Sequence, residues 1–427
     1  MNYLNQPLQL PCGATLSNRL AKASMTEGLG DAFNRATQGH INLYKTWAQG
    51  GAGLLLTGNV LVDRKHLERG GNIAVDGNGG LDELRGMAAA GTSAGNHLWM
   101  QINHPGRQTP AFINPEPLAP SAVPLAAEIG CGNPRAMTEE QILDVINRFV
   151  HVARVAQDCG FTGVQVHAAH GYLMSQFLSP LSNKRTDAWG GSLENRARAL
   201  LEIVRGIRKA VGSSFPVSVK LNSADFQKGG FTSDESIQVV QWLGEEGIDL
   251  LEISGGNYEA QEMVGRNMDE SEGPKPAKKQ STLLREAYFL DFAKRLRPVA
   301  SMPLMVTGGF RSKFAMEEAL KENELDVVGI ARPLCFDPDI CKALLSGEKD
   351  LAVSPELGMT IDRSALESEM SEKEILALET NAQVAWASMQ ILLMGEGKKP
   401  DPNITLLEAM KAIEESQEQL VASMQQS

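Results

Sequence analysis

The stretch of the chain with the clearest chemical potential runs from His167 to Tyr172. Two imidazoles, His167 and His170, and the phenol of Tyr172 occur within six residues. Imidazoles donate hydrogen bonds through N–H and phenols through O–H, so the three groups could bind an anionic or carbonyl oxygen and supply a proton. A His-x-x-His pair could also belong to a metal site, but no nearby carboxylate or cysteine completes a convincing ligand set. The residues favour an electrophilic pocket with no metal.

Two glycine-containing segments between residues 307 and 332 could bind a phosphate. They are Thr307-Gly308-Gly309-Phe310-Arg311 and Gly329-Ile330-Ala331-Arg332, and each follows an apolar run. Glycines let backbone N–H groups approach an anion, and the start of a following helix adds a favourable dipole. The alternative is that these glycines only form tight turns.

Lys220 stands inside the apolar run Val217 to Leu221. Burying an unpaired cation is costly, so a lysine in such a strand suggests a ligand that needs its charge. Polar residues at other strand ends, such as Thr26 and Gln101, are by themselves more often satisfied structural groups. A single buried His or Tyr is likewise more often a packed core residue.

The elements that must position these groups follow a repeating strand and helix pattern. Eight apolar runs read as strands, at about residues 20–24, 53–58, 98–102, 163–166, 217–221, 249–254, 303–307 and 326–330. Helical segments separate them, with capping boxes at Thr138 and Thr232 and a Ser192 cap. Eight strands alternating with helices predict an α/β protein with a closed (β/α)8 TIM barrel, whose site lies at the carboxyl ends of the strands.

Additional segments lie outside this repeat. Leu8 to Leu16 reads as a hairpin that caps the bottom of the barrel, and residues 104–136 as a loop folded over a ligand site. Residues 257–281 are rich in charge and read as an exposed loop. We assign residues 1–345 to the barrel and 346–427 to a C-terminal helical extension with helices near 375–394 and 404–424. We expect these helices to pack outside the barrel or between subunits of a homo-oligomer.

Composition limits the classes of partner. The formal net charge of −12 and a pI near 5.2 oppose binding to nucleic acid or to anionic membranes, so small ligands are favoured. Five scattered cysteines include no CxxC pair, which argues against an iron–sulfur cluster, a zinc ribbon or a disulfide framework. The first residues resemble no signal peptide, and no apolar run reaches membrane-spanning length, so we expect a cytoplasmic protein.

The run from His167 through Ser179-Pro180-Leu181-Ser182-Asn183-Lys184-Arg185-Thr186-Asp187 to Trp189-Gly190-Gly191-Ser192-Leu193-Glu194-Asn195-Arg196 resembles the old yellow enzyme family of FMN-dependent ene reductases. The resemblance covers about residues 5–340, and the lack of a cysteine cluster separates the chain from the larger iron–sulfur relatives. It implies hydride transfer from NADH or NADPH through FMN to the β-carbon of an electron-poor alkene. In that family His167 and His170 match the pair that holds the substrate carbonyl oxygen, and Tyr172 matches the proton donor to the α-carbon.

The same resemblance assigns the FMN-binding residues. Those matching the flavin ring contacts are Thr26, Gly58, Gln101 and Lys220, and those matching the phosphate site are Gly308, Gly309, Ala331 and Arg332. Lys220 occupies a position that is usually Arg, and Ala331 one that is more often Gly. Reduction of quinones or nitro compounds, oxidase activity with oxygen, and a flavin-binding protein without turnover are the alternatives.

Overall fold

The computed structural model describes residues 2–256, 289–363 and 370–426. The predicted loop at 257–281 lies outside these residues. Strands within the described ranges, in chain order, are β1 (Leu8–Gln9), β2 (Thr15–Leu16), β3 (Leu20–Lys22), β4 (Leu54–Leu61), β5 (Ile73–Ala74), β6 (His97–Asn103), β7 (Leu118–Ala119), β8 (Arg135–Ala136), β9 (Gly163–Ala168), β10 (Val217–Asn222), β11 (Leu250–Ser254), β12 (Leu304–Thr307) and β13 (Val327–Ile330).

Eight of these strands form a closed parallel barrel. Their order around the barrel is β3, β4, β6, β9, β10, β11, β12 and β13, and β13 pairs with β3 to close the ring. Each of these strands ends within three residues of the position predicted from the apolar pattern. The predicted (β/α)8 barrel is confirmed.

Helices alternate with the strands and cover the outside of the barrel. In chain order they are α1 (Gln38–Gln49), α2 (Leu81–Gly91), α3 (Glu139–Asp158), α4 (Leu173–Leu178), α5 (Leu193–Val211), α6 (Ser233–Glu245), α7 (Leu290–Leu296), α8 (Lys313–Lys321), α9 (Pro333–Phe336), α10 (Ile340–Ser346), α11 (Glu372–Gly395) and α12 (Leu406–Gln426). The predicted caps are present: the Thr138 and Thr232 hydroxyls accept from backbone N–H groups three residues on, and Ser192 does the same at α5. These caps satisfy N–H groups that the helix itself leaves without acceptors.

Side chains alternate along the barrel strands between two layers. On β9, Val164 and Val166 join the large apolar core under the helices, whereas Gln165 and His167 point into the barrel. Period-two alternation is the rule for extended strands. The sequence thus delivers apolar groups to the helix layer and polar groups to the interior near the mouth.

The amino-terminal hairpin closes the opposite end of the barrel. β1 and β2 pair antiparallel, and Leu8 and Leu16 form a buried cluster with Leu54 and Leu250 at the beginnings of β4 and β11. The hairpin is further held by the Cys12 N–H, which donates to Asp249 Oδ1 at 2.8 Å. The predicted cap at the bottom of the barrel is confirmed, and it leaves the carboxyl ends of the strands as the accessible mouth.

The two C-terminal helices predicted from the sequence are present: α11 is slightly longer than expected, and α12 begins and ends two residues later than expected. α11 joins the barrel core through Ile391 and Met394, and the Trp386 indole donates to the Ile404 carbonyl at 2.8 Å to tie α11 to the start of α12. Farther along α12, Gln417 Nε2 donates to the Gly70 carbonyl at 3.4 Å, beside the barrel mouth. The division at residue 345 and the expected self-association stay predictions. In the part of the chain described here, no helix is both long and apolar enough to cross a bilayer.

Candidate active site at the barrel mouth

The two histidines and the tyrosine predicted to act together do lie together. The ring centroids of His167 and His170 are 5.0 Å apart, and those of His167 and Tyr172 are 4.8 Å apart, both edge to face. His167 belongs to β9, whereas His170 and Tyr172 lie in the turn that leads into α4. His170 has a left-handed backbone (φ 60°), which is held by its N–H donating to Asn222 Oδ1 at 3.1 Å.

Both histidines are neutral. Burial lowers the pKa of His167 well below its usual value, and the charges of His170 and Lys220 add to the effect. Burial and then Lys220 lower the pKa of His170 in the same direction. His167 Nδ1 accepts from the Ala169 N–H at 3.2 Å, so the ring proton sits on Nε2. His170 Nε2 lies 2.6 Å from the Ser254 hydroxyl. The pair can therefore donate hydrogen bonds without carrying charge.

Lys220 projects into the barrel interior and is only 5% exposed. Its Nζ lies 3.0 Å from Glu252 Oε1 on the adjacent strand β11, where the two residues are in register. Glu252 is fully buried and its other oxygen accepts from Gln165 Nε2 at 2.9 Å. The premise that Lys220 is an unpaired cation is wrong, because Glu252 pairs with it. It still lines the cavity at the mouth.

Gln101 and Thr26, which were predicted to contact a flavin, are both held by neighbours. Gln101 Nε2 donates to Gln165 Oε1 at 2.7 Å, and its Oε1 accepts from the Ser24 hydroxyl at 2.7 Å. The Thr26 hydroxyl donates to the carboxylate of Glu68. These bonds fix the orientation of the Gln101 amide, with its oxygen toward Ser24 and its nitrogen toward the barrel interior.

Gly58 lies at an irregularity of β4, where the pairing with β6 shifts between Leu56 and Asn59. Its N–H donates to Glu27 Oε1 at 2.8 Å. A Cβ at this position would lie 2.6 Å from the Met25 carbonyl oxygen, so only glycine fits here. The backbone of Gly58 is therefore packed closely against the segment that follows β3.

The two glycine segments meet on one side of the mouth, as predicted. They border a cavity of about 220 Å³ together with Lys220, His170 and Ser24. Gly308 (φ 120°) and Gly309 (φ 85°) have positive φ angles, which other residues rarely adopt. Ala331 and Arg332 line the same cavity, and Arg332 Nη1 lies 4.0 Å from the buried Glu356 carboxylate. All of the sequence-predicted phosphate residues are brought to one place.

The loop at 104–136 also reaches this site. Gln108 Nε2 donates to the His170 carbonyl at 3.1 Å, and the His104 carbonyl accepts from the Leu173 N–H at 2.9 Å. The expectation that this segment folds over the mouth is borne out at its first residues, which are buried.

The structure adds acidic residues that the sequence reasoning missed. Glu68 contacts Tyr172 and Thr26, Glu252 contacts Lys220, and Glu27 contacts Gly58. Glu252 lies on a predicted strand two residues before its end, and this inward position beside Lys220 could have been found by comparing the two strands. Glu68 follows β4 in a segment without periodicity, so only the folded chain reveals its neighbours.

A separate buried cluster contains Asp63, His66 and His104, whose ligand atoms lie within 4.8 Å of one another. His66 Nε2 accepts from the Leu118 N–H at 3.0 Å, so its Nδ1 carries the proton and donates to Asp63 Oδ2 at 2.8 Å. His104 Nδ1 accepts from the Gly106 N–H at 3.0 Å. Three of the four ring nitrogens are thus engaged by protein groups, which gives the cluster a structural role in the loop after β4. The prediction of no metal stays a prediction.

The residues at the mouth fit a flavin mononucleotide. The glycine segments and Arg332 offer N–H groups and a cation to a phosphate, and the Thr307 hydroxyl at the same cavity is buried with no hydrogen-bond partner among the described residues. Lys220 and the Gln101 amide offer polar contacts to a ring. FMN, when bound, accepts a hydride from a nicotinamide and passes it to a second substrate.

Comparison with known proteins agrees with this fit. The model of the NADH:flavin oxidoreductase / NADH oxidase family matches residues 3–350. The chain is 38% identical over 370 residues to the NADH-dependent flavin oxidoreductase nadA of Aspergillus parasiticus. This alignment covers 82% of the chain and 80% of nadA. The chain is also 38% identical over 379 residues to the NADH-dependent flavin oxidoreductase iliE of Neonectria sp.. That alignment covers 83% of this chain but 48% of iliE, so the chain spans about half the length of that relative.

Among solved structures, the old yellow enzyme homologue from Zymomonas mobilis has a TM-score of 0.67 and 22% sequence identity, and the match covers 81% of this chain and 93% of that one. This likeness supports the fold. The family match and the nadA relative confirm the resemblance that the run from His167 to Arg196 indicated. The chain therefore belongs to the NADH:flavin oxidoreductase / NADH oxidase family, the old yellow enzyme family of FMN-containing, NAD(P)H-dependent oxidoreductases.

Proposed function

We propose that the chain reduces the electron-poor C=C bond of α,β-unsaturated carbonyl compounds at the expense of NADH or NADPH. In this proposal His167 and His170 hold the carbonyl oxygen, and Tyr172 protonates the α-carbon. The observation that carries it is the neutral His167 ring edge to face with Tyr172, 4.8 Å between centroids, in the buried turn after β9. A neutral donor pair beside a phenol suits a substrate that is an uncharged carbonyl compound.

The histidines support carbonyl binding through their protonation. His167 carries its proton on Nε2, because Nδ1 already accepts a backbone N–H. Hydrogen bonds to a carbonyl oxygen strengthen as negative charge develops on that oxygen during addition to the alkene. Neutral imidazoles can supply this stabilisation without the cost of burying a second cation beside Lys220.

The cofactor contacts in this proposal come from both sides of the mouth. Gly308, Gly309, Ala331 and Arg332 would hold the phosphate, and Lys220 with the Gln101 amide would contact the ring. Thr26 and Gly58 belong to the segments packed beside them, after β3 and within β4. The bound FMN would supply hydride transfer, while the chain's own residues orient the alkene and deliver the proton.

The Tyr172→Phe variant tests the proton donor, because it removes one hydroxyl and keeps the ring. A positioned general acid contributes about 10² to 10⁴ in rate, so reoxidation of the bleached protein by cyclohexenone should slow by that factor in rapid-mixing experiments. Reoxidation by a quinone needs no protonation at carbon, so the ratio of enone to quinone rates should fall. Tyr3→Phe, far from the mouth beside Glu317, is the matched control.

A wild-type ratio in Tyr172→Phe would remove Tyr172 from this role. A wild-type protein that is bleached by NADH or NADPH but recovers only with quinones or oxygen would favour the alternative of a quinone reductase or oxidase. One observation speaks for that alternative: the Tyr172 hydroxyl donates to the carboxylate of Glu68, and a phenol bound to an anion is a weak acid. A yellow protein that neither nicotinamide bleaches would be a flavin-binding protein without turnover.

A further inference from the structure

The loop between β4 and β5 brings a carboxylate to the tyrosine at the active site. The Tyr172 hydroxyl donates to Glu68 Oε2 at 2.5 Å, although the two residues are 104 positions apart. Tyr172 is 6% exposed and Glu68 is half-buried. The contact is therefore a tertiary one that joins the loop after β4 to the turn after β9.

The carboxyl group of Glu68 accepts hydrogen bonds from several side chains. Its Oε1 accepts from the Thr26 hydroxyl and from Asn72 Nδ2, and its Oε2 accepts from Asn59 Nδ2 as well as from Tyr172. Two of these partners, Thr26 and Tyr172, are hydroxyls, which can also accept a hydrogen bond from a protonated carboxyl group. The arrangement fixes the carboxylate with one oxygen toward Tyr172.

The backbone around Glu68 is fixed as well. Asn72 Oδ1 accepts from the N–H groups of Glu68 at 3.2 Å and of Arg69 at 3.0 Å. The residue after Arg69, Gly70, contacts α12 through Gln417, and Leu67 packs in a small buried cluster with Leu61 and Ala74. The loop is thus anchored on both sides of Glu68, so the side chain approaches Tyr172 from a defined position.

This geometry sets a condition on the proposed proton transfer. If Tyr172 gave up its proton beside an ionised Glu68, two negative charges would share one site, which is unfavourable. If Glu68 is protonated first, its proton can move to the tyrosine oxygen as the tyrosine proton leaves. The pair then carries a single negative charge after the transfer, instead of two. A protonated Glu68 therefore makes Tyr172 a competent acid, and an ionised Glu68 suppresses it.

We propose that Glu68 is the positioning residue and proton reservoir for Tyr172, an inference that rests on the proposed function. Hydride adds to the β-carbon of the alkene, and the electron pair of the C=C bond takes the Tyr172 proton at the α-carbon. The O–H bonding pair stays on the tyrosine oxygen, which takes the proton from the Glu68 carboxyl group. Glu68 regains a proton from water at its exposed side, and the two electrons come from NADH or NADPH.

The first test is the pH dependence of enone reoxidation, measured by rapid mixing in wild type, Glu68→Gln and Glu68→Asp. Wild type should slow about tenfold per pH unit above the pH at which Glu68 loses its proton, because only the protonated form supplies the relay. Glu68→Gln cannot titrate and should show a flat profile that lies below wild type at low pH and crosses it at high pH. Glu68→Asp should restore the slope.

Glu116→Gln is the matched control, because Glu116 is an exposed carboxylate on the loop after β6 and its replacement removes the same charge. Its profile should keep the wild-type slope. Parallel profiles in wild type and Glu68→Gln would overturn the inference while leaving the proposed function in place. A wild-type protein that reduces no enone at any pH would instead overturn the proposed function, and the reservoir role with it.

A second readout does not depend on turnover. Ultraviolet difference titration of tyrosinate, taken as each protein minus its Tyr172→Phe derivative, isolates Tyr172 from the other four tyrosines. Loss of the neighbouring negative charge in Glu68→Gln should lower the pKa of Tyr172. The same tyrosinate titration in both backgrounds would show that Glu68 does not act on the Tyr172 proton, and it would overturn the inference.

Discussion

Two lysines on barrel strands are buried to a similar degree but lie in different layers of the molecule. Lys220 on β10 is 5% exposed and points into the barrel, where Glu252 pairs with it beside the cavity. Lys22 on β3 is 0% exposed and points outward, under α1. Its Nζ donates to the Leu56 carbonyl at 2.7 Å and lies 4.3 Å from the centroid of the Trp47 ring.

The electrostatics of the two sites differ accordingly. Burial lowers the pKa of Lys22 from its usual 10.5 to about 8, and the attraction of Glu27 offsets this only in part. Lys220 instead has a carboxylate in register on the next strand. A buried cation is therefore not by itself a sign of a ligand site, because the same criterion would select Lys22. What distinguishes Lys220 is the cavity that it lines.

Among the variants that test this comparison of Lys220 with Lys22, we expect Glu252→Gln to have the largest effect on stability. Removing one partner of a buried ion pair leaves an uncompensated charge, so the free energy of unfolding should fall by about 3 to 5 kcal/mol in urea denaturation. The double variant Glu252→Gln/Lys220→Met should recover most of that loss. If instead the two losses simply add, the pair is not coupled and Lys220 resembles Lys22.

Lys22→Met is the corresponding test in the helix layer. Between pH 8 and 10.5 the unfolded chain binds more protons at this lysine than the folded chain does, so wild-type stability should rise with pH through this window. The gain over the whole window is on the order of 3 kcal/mol, and the cost is fully present below pH 8. Lys22→Met lacks this titration, so its stability advantage over wild type should shrink as pH rises.

The measurement is urea denaturation of both proteins at pH 7, 8, 9 and 10. Lys209→Met serves as the control, because Lys209 is exposed on α5 and its removal should add no pH dependence. A constant difference between wild type and Lys22→Met across this range would mean that Lys22 keeps an ordinary pKa in the fold.

The smallest effect concerns the flavin. If Lys220 lies beside the ring, Lys220→Met should lower the midpoint potential of the bound FMN on the order of 30 mV, about 1.4 kcal/mol for a two-electron couple. The shift is modest because Glu252 already offsets part of the lysine charge. Lys22→Met should move the potential much less, as read by dye equilibration. Equal shifts in both variants would remove the distinction between the two layers.

Much of the fold was predictable because its strands and helix starts depend on residue patterns that are local in the sequence. The apolar runs placed all eight barrel strands, and the hydroxyls of Thr138, Ser192 and Thr232 marked three helix starts that the structure confirms. Hydrophobic periodicity and capping depend on neighbours along the chain, so they can be read without a fold. The loop at 257–281 lies outside the described residues.

The candidate site was predictable only in part. His167, His170 and Tyr172 are close in sequence, and the glycine segments follow consecutive strands, so their proximity in the barrel could be expected. The charge state of the site could not, because Glu252 reaches Lys220 from another strand and Glu68 reaches Tyr172 across 104 residues. Each of these contacts depends on the register and closure of the barrel.

The sequence by itself therefore determined the barrel, the family and the residue types at its mouth. Only the tertiary structure decided which charges are compensated and which protons are shared, as the pairs Lys220–Glu252 and Tyr172–Glu68 illustrate. The physical reason is that strand and helix patterns arise from interactions a few residues apart, whereas the pKa of a buried group depends on every charge and dipole that folding brings near it.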